Sequence, residues 1–189
     1  MKLRSALALA STSALASALA STFLCLLICT SAHAKKSTEY KRLDVQLCPA
    51  SRMDFDDGDS FSCGDEKIRV LGVDAPEIKH PKHGIANDQP GGPAAALFTK
   101  TALQGAKRVL IVRDGKDPYG RTLAHVLVDG ELLGAKLIRA GHAYENVTHF
   151  GDNGMPEFAL QILEAAKVSP KPPFEEPYKW RKRNQHKKH

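Results

Sequence analysis

The chain is 189 residues long, enough for one domain of ordinary size with tails. Charged residues make up 25% and hydrophobic residues 42%, a balance that excludes a disordered or low-complexity chain. Lysines and arginines number 27 against 21 acids, yet six of them fall in KWRKRNQHKKH (179–189), which holds no acid, so the basicity belongs to a tail rather than to the body.

The first 34 residues differ in kind from the rest. Lys2 and Arg4 precede an uncharged Ala/Ser/Leu-rich stretch that peaks in FLCLLI at 23–28, and Ala32 and Ala34 place small residues just before Lys35. That order predicts a signal peptide over 1–34 and a secreted or periplasmic protein. An uncleaved anchor over 6–34 is the alternative, because the uncharged run exceeds the roughly 20 residues that span a bilayer. With the signal cleaved, no stable membrane partner is expected. Cleavage would leave Cys48 and Cys63 of the four cysteines. In an exported chain this pair predicts a disulfide, the other reading being two small buried thiols.

Strands are predicted next at 42–48, 60–63 and 67–73. A helix follows at about 93–106, opened by Pro93 in its first turn. Strands at 108–113 and 122–128 come after it, the second ending in the tight-turn signal Asp129-Gly130. A second helix, about 132–140, sets Leu133, Leu137 and Ala140 on one face and stops at Gly141. The third runs about 156–167, with Phe158, Ile162, Ala165 and Ala166 on its face. SPKPPFEEP (169–177) reads as an extended linker or strap, and 179–189 as a solvated, disordered arm or a source of non-specific phosphate affinity. Five short strands with interspersed helices predict a small barrel carrying helices on its surface.

RVLGVDAPEIKHP (69–81) looks like a buried strand bracketed by charge, entered by Arg69 and left through Asp74, Pro76 and Glu77. Upstream, DFDDGDSF (54–61) crowds acids together. It does not fit a helix–loop–helix calcium loop, lacking the glycine at the sixth position and the closing Glu. Alone, Asp57-Gly58-Asp59 reads as a turn. Together the two stretches mean more: a strand entering at Asp59 and another leaving at Asp74 bring two carboxylates together, a hard-oxygen set suited to Ca²⁺. Arg69 adds a permanently charged fork for phosphate. Arg121, in DPYGRTLAHV (117–126), begins another strand and by itself reads as an edge arginine facing solvent. Two arginines, a metal site and Glu77 as base or water-orienting group make a set suited to phosphoryl transfer.

Residues about 56–147 resemble the staphylococcal (thermonuclease) nuclease family. DGDSF, IRVLGVDAPEIKHPKHG, GPAAALFTK and DPYGRTLAHVLVDGELLGAKLIRAGHA follow its pattern in order and spacing. The resemblance implies an α+β fold that is mainly β: a five-stranded OB-fold Greek-key barrel with about three packed helices. The nuclease-like domain would span 35–168, with the Pro-rich strap and basic tail over 169–189. The resemblance also implies Ca²⁺ held by Asp59, Asp74 and the backbone carbonyl of Ala75, with Glu77 as general base or water-orienting group. Arg69 and Arg121 would contact phosphate and transition state, and Tyr119 the nucleotide phosphate. The implied reaction is cleavage of DNA and/or RNA to 3′-phosphate products, and a monomer is expected.

Some positions depart from the family pattern. Ala75 stands where the best-known member has threonine, which a carbonyl ligand tolerates, and Pro118 replaces a lysine. Val147 falls near the place of a base-stacking tyrosine, with Tyr144 and Phe150 as candidate substitutes. The rival reading is a non-catalytic OB-fold module that binds nucleic acid or protein without cutting. Decay of that kind would erase Glu77 or an arginine first, and all five charged positions stand. His80 and His83 have no Cys/His pair to complete a zinc site, and no phosphate loop of the G-x-x-x-x-G-K-S/T kind occurs.

Overall fold

The computed structural model describes residues 42–185. The signal segment 1–34, with its alternative as an anchor, and the last four residues of the tail lie outside them. Among the described residues nine strands and five α-helices follow one another in the order β1 (Asp44–Leu47), β2 (Met53–Phe55), β3 (Ser60–Cys63), β4 (Glu66–Val70), β5 (Val73–Asp74), α1 (Gly92–Gln104), β6 (Val109–Lys116), β7 (Thr122–Val128), β8 (Glu131–Leu132), α2 (Leu133–Arg139), β9 (Tyr144–Glu145), α3 (Val147–Phe150), α4 (Pro156–Val168) and α5 (Pro177–Asn184). The fold class is α+β, as expected. The predicted five-strand closure is not what the hydrogen bonds give. Among the described residues they form an open path, β1-β6-β7-β4-β3-β2, with β8 paired to β7, while β5 and β9 make a separate ribbon. β5, β8 and β9 have two residues each, too few for an alternating pattern to be read.

The sheet follows from residue type. β3, β4 and β7 carry Phe61, Ile68, Ala124 and Val126 inward, and α2 and α4 cover them with Leu137 and Ile162. Full burial of each large apolar side chain stabilises by about 1.5–3 kcal/mol. β1 is exposed along its length and forms an edge on β6. Asp129 and Gly130 both take positive φ, 53° and 91°, and close a two-residue hairpin between β7 and β8 as their sequence predicts. Cys48 and Cys63 form the predicted disulfide, which ties the segment after β1 to the end of β3.

Two corrections bear on the site. The run 67–73 is not one strand: it ends at Val70, and Gly72 turns the chain at φ 82°, a conformation that favours glycine. Val73 and Asp74 then pair with Glu145 and Tyr144 of β9, so Asp74 leaves the main sheet. The basic tail, expected as a solvated arm, is helical over 177–184. Trp180 and Pro177 are buried, and the backbone ahead of the helix is pinned from outside: Gln89 Nε2 donates to Glu175 O at 2.7 Å and Tyr144 Oη to Phe174 O at 2.7 Å. A buried indole and these carbonyl bonds outweigh the tendency of a charge run to stay in water.

Candidate active site

Antiparallel pairing of β3 with β4 sets Ser60 opposite Arg69, so Asp59, one residue earlier, lies beside the arginine. The Asp59 carbonyl accepts the Val70 N–H at 2.8 Å, and its Oδ2 accepts the N–H of Ala75 at 2.7 Å. Asp59 is thus held from both ends of the strand break at Gly72. Arg69 ion-pairs with Asp59 through Nη1 and reaches Asp74 Oδ1 with Nη2 at 3.1 Å, so one guanidinium spans the two carboxylates predicted to share a metal. Burial opposes the charge on Arg69. Asp59, then Asp74 and Asp57, outweigh that effect and hold its pKa above the ordinary arginine value.

Asp57 was read only as part of a turn. It packs beside Asp59 and accepts that residue's N–H at 3.0 Å. Burial, and after it repulsion from Asp59, push its carboxyl well above the usual range. The spacing Asp57-x-Asp59 was the available signal: two residues apart across a turn, both acids can serve one site.

Glu77 follows Pro76 just beyond β5. Its carbonyl accepts the N–H of Gln89 at 2.8 Å, and its own N–H donates to Gln89 Oε1 at 3.3 Å. Gly92 fits closely behind it: a Cβ there would stand 2.2 Å from the Glu77 carbonyl oxygen. Burial raises the Glu77 carboxyl above its ordinary value and outweighs the opposing hydrogen bond from Arg181. Gln89 is fully buried and joins this loop to the carbonyl of Glu175.

Arg121 comes from a self-contained ring. Its Nε donates to Asp117 Oδ2 at 2.7 Å, and its N–H and that of Tyr119 both donate to Asp117 Oδ1 at 2.9 Å. Nη1 reaches Ser60 Oγ at 3.4 Å, which aims the arginine across β3 toward Asp59. Tyr119 is 84% exposed, with the Arg121 guanidinium 5.8 Å from its ring centre.

One cleft of about 380 Å³ gathers Asp57, Asp59, Arg69, Glu77, Tyr119 and Arg121. Asp74 and Ala75 are buried and do not line it; Asp74 meets the cleft through its ion pairs with Arg69 and Arg181, which do. Arg181 of α5, which the sequence did not point to, lines the same cleft. Val147 is buried outside it, Tyr144 is committed to the strap carbonyls, and exposed Phe150 contacts His149, so none of the three offers a face to the cleft. His80 and His83 sit at the rim, ring centres 4.2 Å apart. Among the described residues no three acids or histidines converge on one point, because the guanidiniums of Arg69 and Arg181 stand between the carboxylates. The donors themselves suit a hard cation: the carboxylates of Asp57, Asp59 and Glu77 line one cleft, and carboxylate oxygens are hard ligands.

The family model described as staphylococcal nuclease homologue matches residues 67–168. A thermonuclease from Staphylococcus intermedius is 42% identical over 80 residues, covering 42% of this chain and 46% of the relative. The endonuclease YncB from Bacillus subtilis (strain 168) is 36% identical over 107 residues, 53% of this chain and 47% of the relative. A thermonuclease from Staphylococcus hyicus is 39% identical over 79 residues, 41% and 45% respectively. The chain thus spans just under half the length of each of these relatives. The matched region includes Arg69, Asp74, Glu77 and Arg121 and covers more than half of the chain, and the chain belongs to the staphylococcal nuclease family.

Proposed function

We propose that the protein is an exported, Ca²⁺-dependent nuclease that hydrolyses phosphodiester bonds of DNA and/or RNA to 3′-phosphate products. The observation that carries this reading is the convergence of Arg69, Arg121 and Glu77 with the acids Asp57 and Asp59 on one cleft. The names thermonuclease and endonuclease borne by its relatives support it. Asp59, Asp74 and the Ala75 carbonyl would hold the ion, with Asp57 beside them. When bound, Ca²⁺ would supply Lewis-acid stabilisation of the charge growing on the phosphate. Arg121 and Arg69 hold the non-bridging oxygens with charge-assisted hydrogen bonds that strengthen as that charge grows. Glu77 orients the attacking water and takes its proton. As the new P–O bond forms, the bond from phosphorus to the 5′ oxygen breaks. That oxygen leaves as a hydroxyl once protonated, and the phosphate stays on the 3′ oxygen of the other fragment. Tyr119, exposed at the rim beside Arg121, contacts a phosphate of the substrate.

Export is supported by the Cys48–Cys63 disulfide, which persists in oxidising compartments. The test is incubation of the mature chain with single- and double-stranded DNA and RNA, in Ca²⁺ or in chelator. Cleavage that stops in chelator and returns with Ca²⁺ is expected, with an ion affinity of about 10⁻⁴–10⁻³ M for so few carboxylates. Binding without cleavage in any metal would mark a non-catalytic module instead. Undiminished cleavage in chelator would remove the assignment of Asp59 and Asp74.

A further inference from the structure

Arg181 has no place in the chemistry just described, yet it is among the most constrained side chains of the cleft. Its Nη2 lies 3.0 Å from Asp74 Oδ2, and its Nη1 lies 3.1 Å from Asp74 Oδ1 and 2.6 Å from Glu77 Oε1. The guanidinium therefore grips both oxygens of Asp74 and one of Glu77. Its backbone is not that of a loose arm. Trp180 beside it is buried, the strap ahead of α5 is tied to Gln89 and Tyr144, and Gln185 after it pairs with Ile85 and donates to His83 O at 3.0 Å. Anchored on both sides, α5 holds the backbone of Arg181 in place beside Asp74 and Glu77.

Asp74 consequently carries two guanidiniums, Arg69 on Oδ1 and Arg181 across both oxygens. A divalent ion seated on Asp74 would meet Arg181 at contact range, and like charges at that separation exclude one another. An arginine expelled from Asp74 stays tethered at the mouth of a cleft built to hold phosphate, and its planar fork suits a phosphate as well as a carboxylate. We propose that Arg181 is a built-in counter-cation: it occupies Asp74 and Glu77 when no metal is bound, competes with the metal for Asp74, and on displacement becomes a third arginine contact to the substrate phosphate. The inference rests on the assignment of Asp74 to the metal site. It makes the C-terminal helix a working part of the site, with a coupling by which metal binding releases a substrate contact.

The test begins with calorimetric Ca²⁺ binding to the full chain, without nucleic acid, for the parent protein and for Asp74→Asn, Arg181→Gln and Arg181→Lys. A parent that binds Ca²⁺ no better than Asp74→Asn overturns the metal assignment and this proposal with it. Given binding at Asp74, Arg181→Gln is expected to take up Ca²⁺ about tenfold more tightly, the lower end of what one adjacent charge does to a carboxylate. Arg181→Lys keeps the charge and the aliphatic stem, so its affinity should stay within a few-fold of the parent. That variant separates the charge effect from any folding defect. In steady-state cleavage of a short oligonucleotide at saturating Ca²⁺, Arg181→Gln should raise KM several-fold. Unchanged or weaker Ca²⁺ binding by Arg181→Gln overturns the competition, and a parental KM despite tighter Ca²⁺ binding overturns the transfer to phosphate.

Discussion

On the inner side of the cleft Arg69, its side chain 15% exposed, is clamped between the buried Asp59 and Asp74; on the outer side Arg121, 32% exposed, stands at a turn, its ion pair with Asp117 four residues earlier in the same loop. The inner charges come from the residue before β3, from β4 and from β5, so each ties one element to another. The outer ring closes within residues 117–121 and reaches across to the sheet at Ser60. Both arginines are proposed to meet the same phosphate, but they differ in what else depends on them. An interlocked buried charge supports the fold and the chemistry together, whereas a local, partly exposed one supports the chemistry alone.

Arg69→Ala offers the sharpest way to break that contrast. It leaves Asp59 and Asp74 buried with one arginine fewer, and removing one partner of a buried ion pair typically costs about 3–5 kcal/mol. Denaturant unfolding should register a loss of that order, with cleavage falling below detection. Arg121→Lys should leave the unfolding midpoint almost unmoved, because surface pairs contribute little. Its turnover should nonetheless drop by about 10²–10³, since a point charge cannot replace the guanidinium fork at a developing oxyanion. Equal stability losses in the two variants would erase the distinction between the two sides.

The smallest expected effect lies behind the outer side. Glu66 accepts from Arg113 Nε at 2.7 Å and from Thr122 Oγ1 at 2.8 Å, and so links β4, β6 and β7 just beside Arg121. The hydrogen bond from Arg113 comes first among the causes that hold its carboxyl below the ordinary carboxylate range. A lowered folded-state pKa contributes stability that is present above the unfolded-state value, near 4.5, and is lost as pH falls through the lower folded value. Glu66→Gln should therefore flatten the stability decline below about pH 4.5. The change should stay under about 1 kcal/mol, because the pair is partly exposed. Activity near neutrality should not change.

The parts of the site that could be read in the sequence are those in which chemistry and local structure share a short segment. Arg69, Asp74 and Glu77 fall within nine residues, and the turn 117–121 holds both Arg121 and the Asp117 that positions it. Asp129-Gly130 specified its hairpin because positive φ is a local property. What could not be read is what spans the chain. Gln89 meets Glu175 across 86 positions and Arg181 meets Asp74 across 107, and no local pattern encodes such partners. The tail also misled by composition: its charge run suggested an arm in water. Pro177 after two glutamates, with Arg181, Lys182 and Arg183 in the last turn, is nevertheless a set of helix start and stop signals. Trp180 was the sign that this helix would be buried. β5, β8 and β9 were illegible for a different reason: strands of two residues follow from neighbouring contacts rather than from their own sequence.

The central claim is that this cleft hydrolyses phosphodiesters with Glu77 handling the water, and one paired measurement addresses it directly. Single-turnover cleavage of a short oligonucleotide in Ca²⁺ is compared for the parent and Glu77→Gln, alongside equilibrium binding of a nuclease-resistant analogue. Glutamine keeps the shape and removes the charge, so binding should match the parent within a few-fold while cleavage slows by about 10²–10⁴. A Glu77→Gln protein that cleaves at the parental rate would contradict the account, because Glu77 would then neither accept the proton nor place the water.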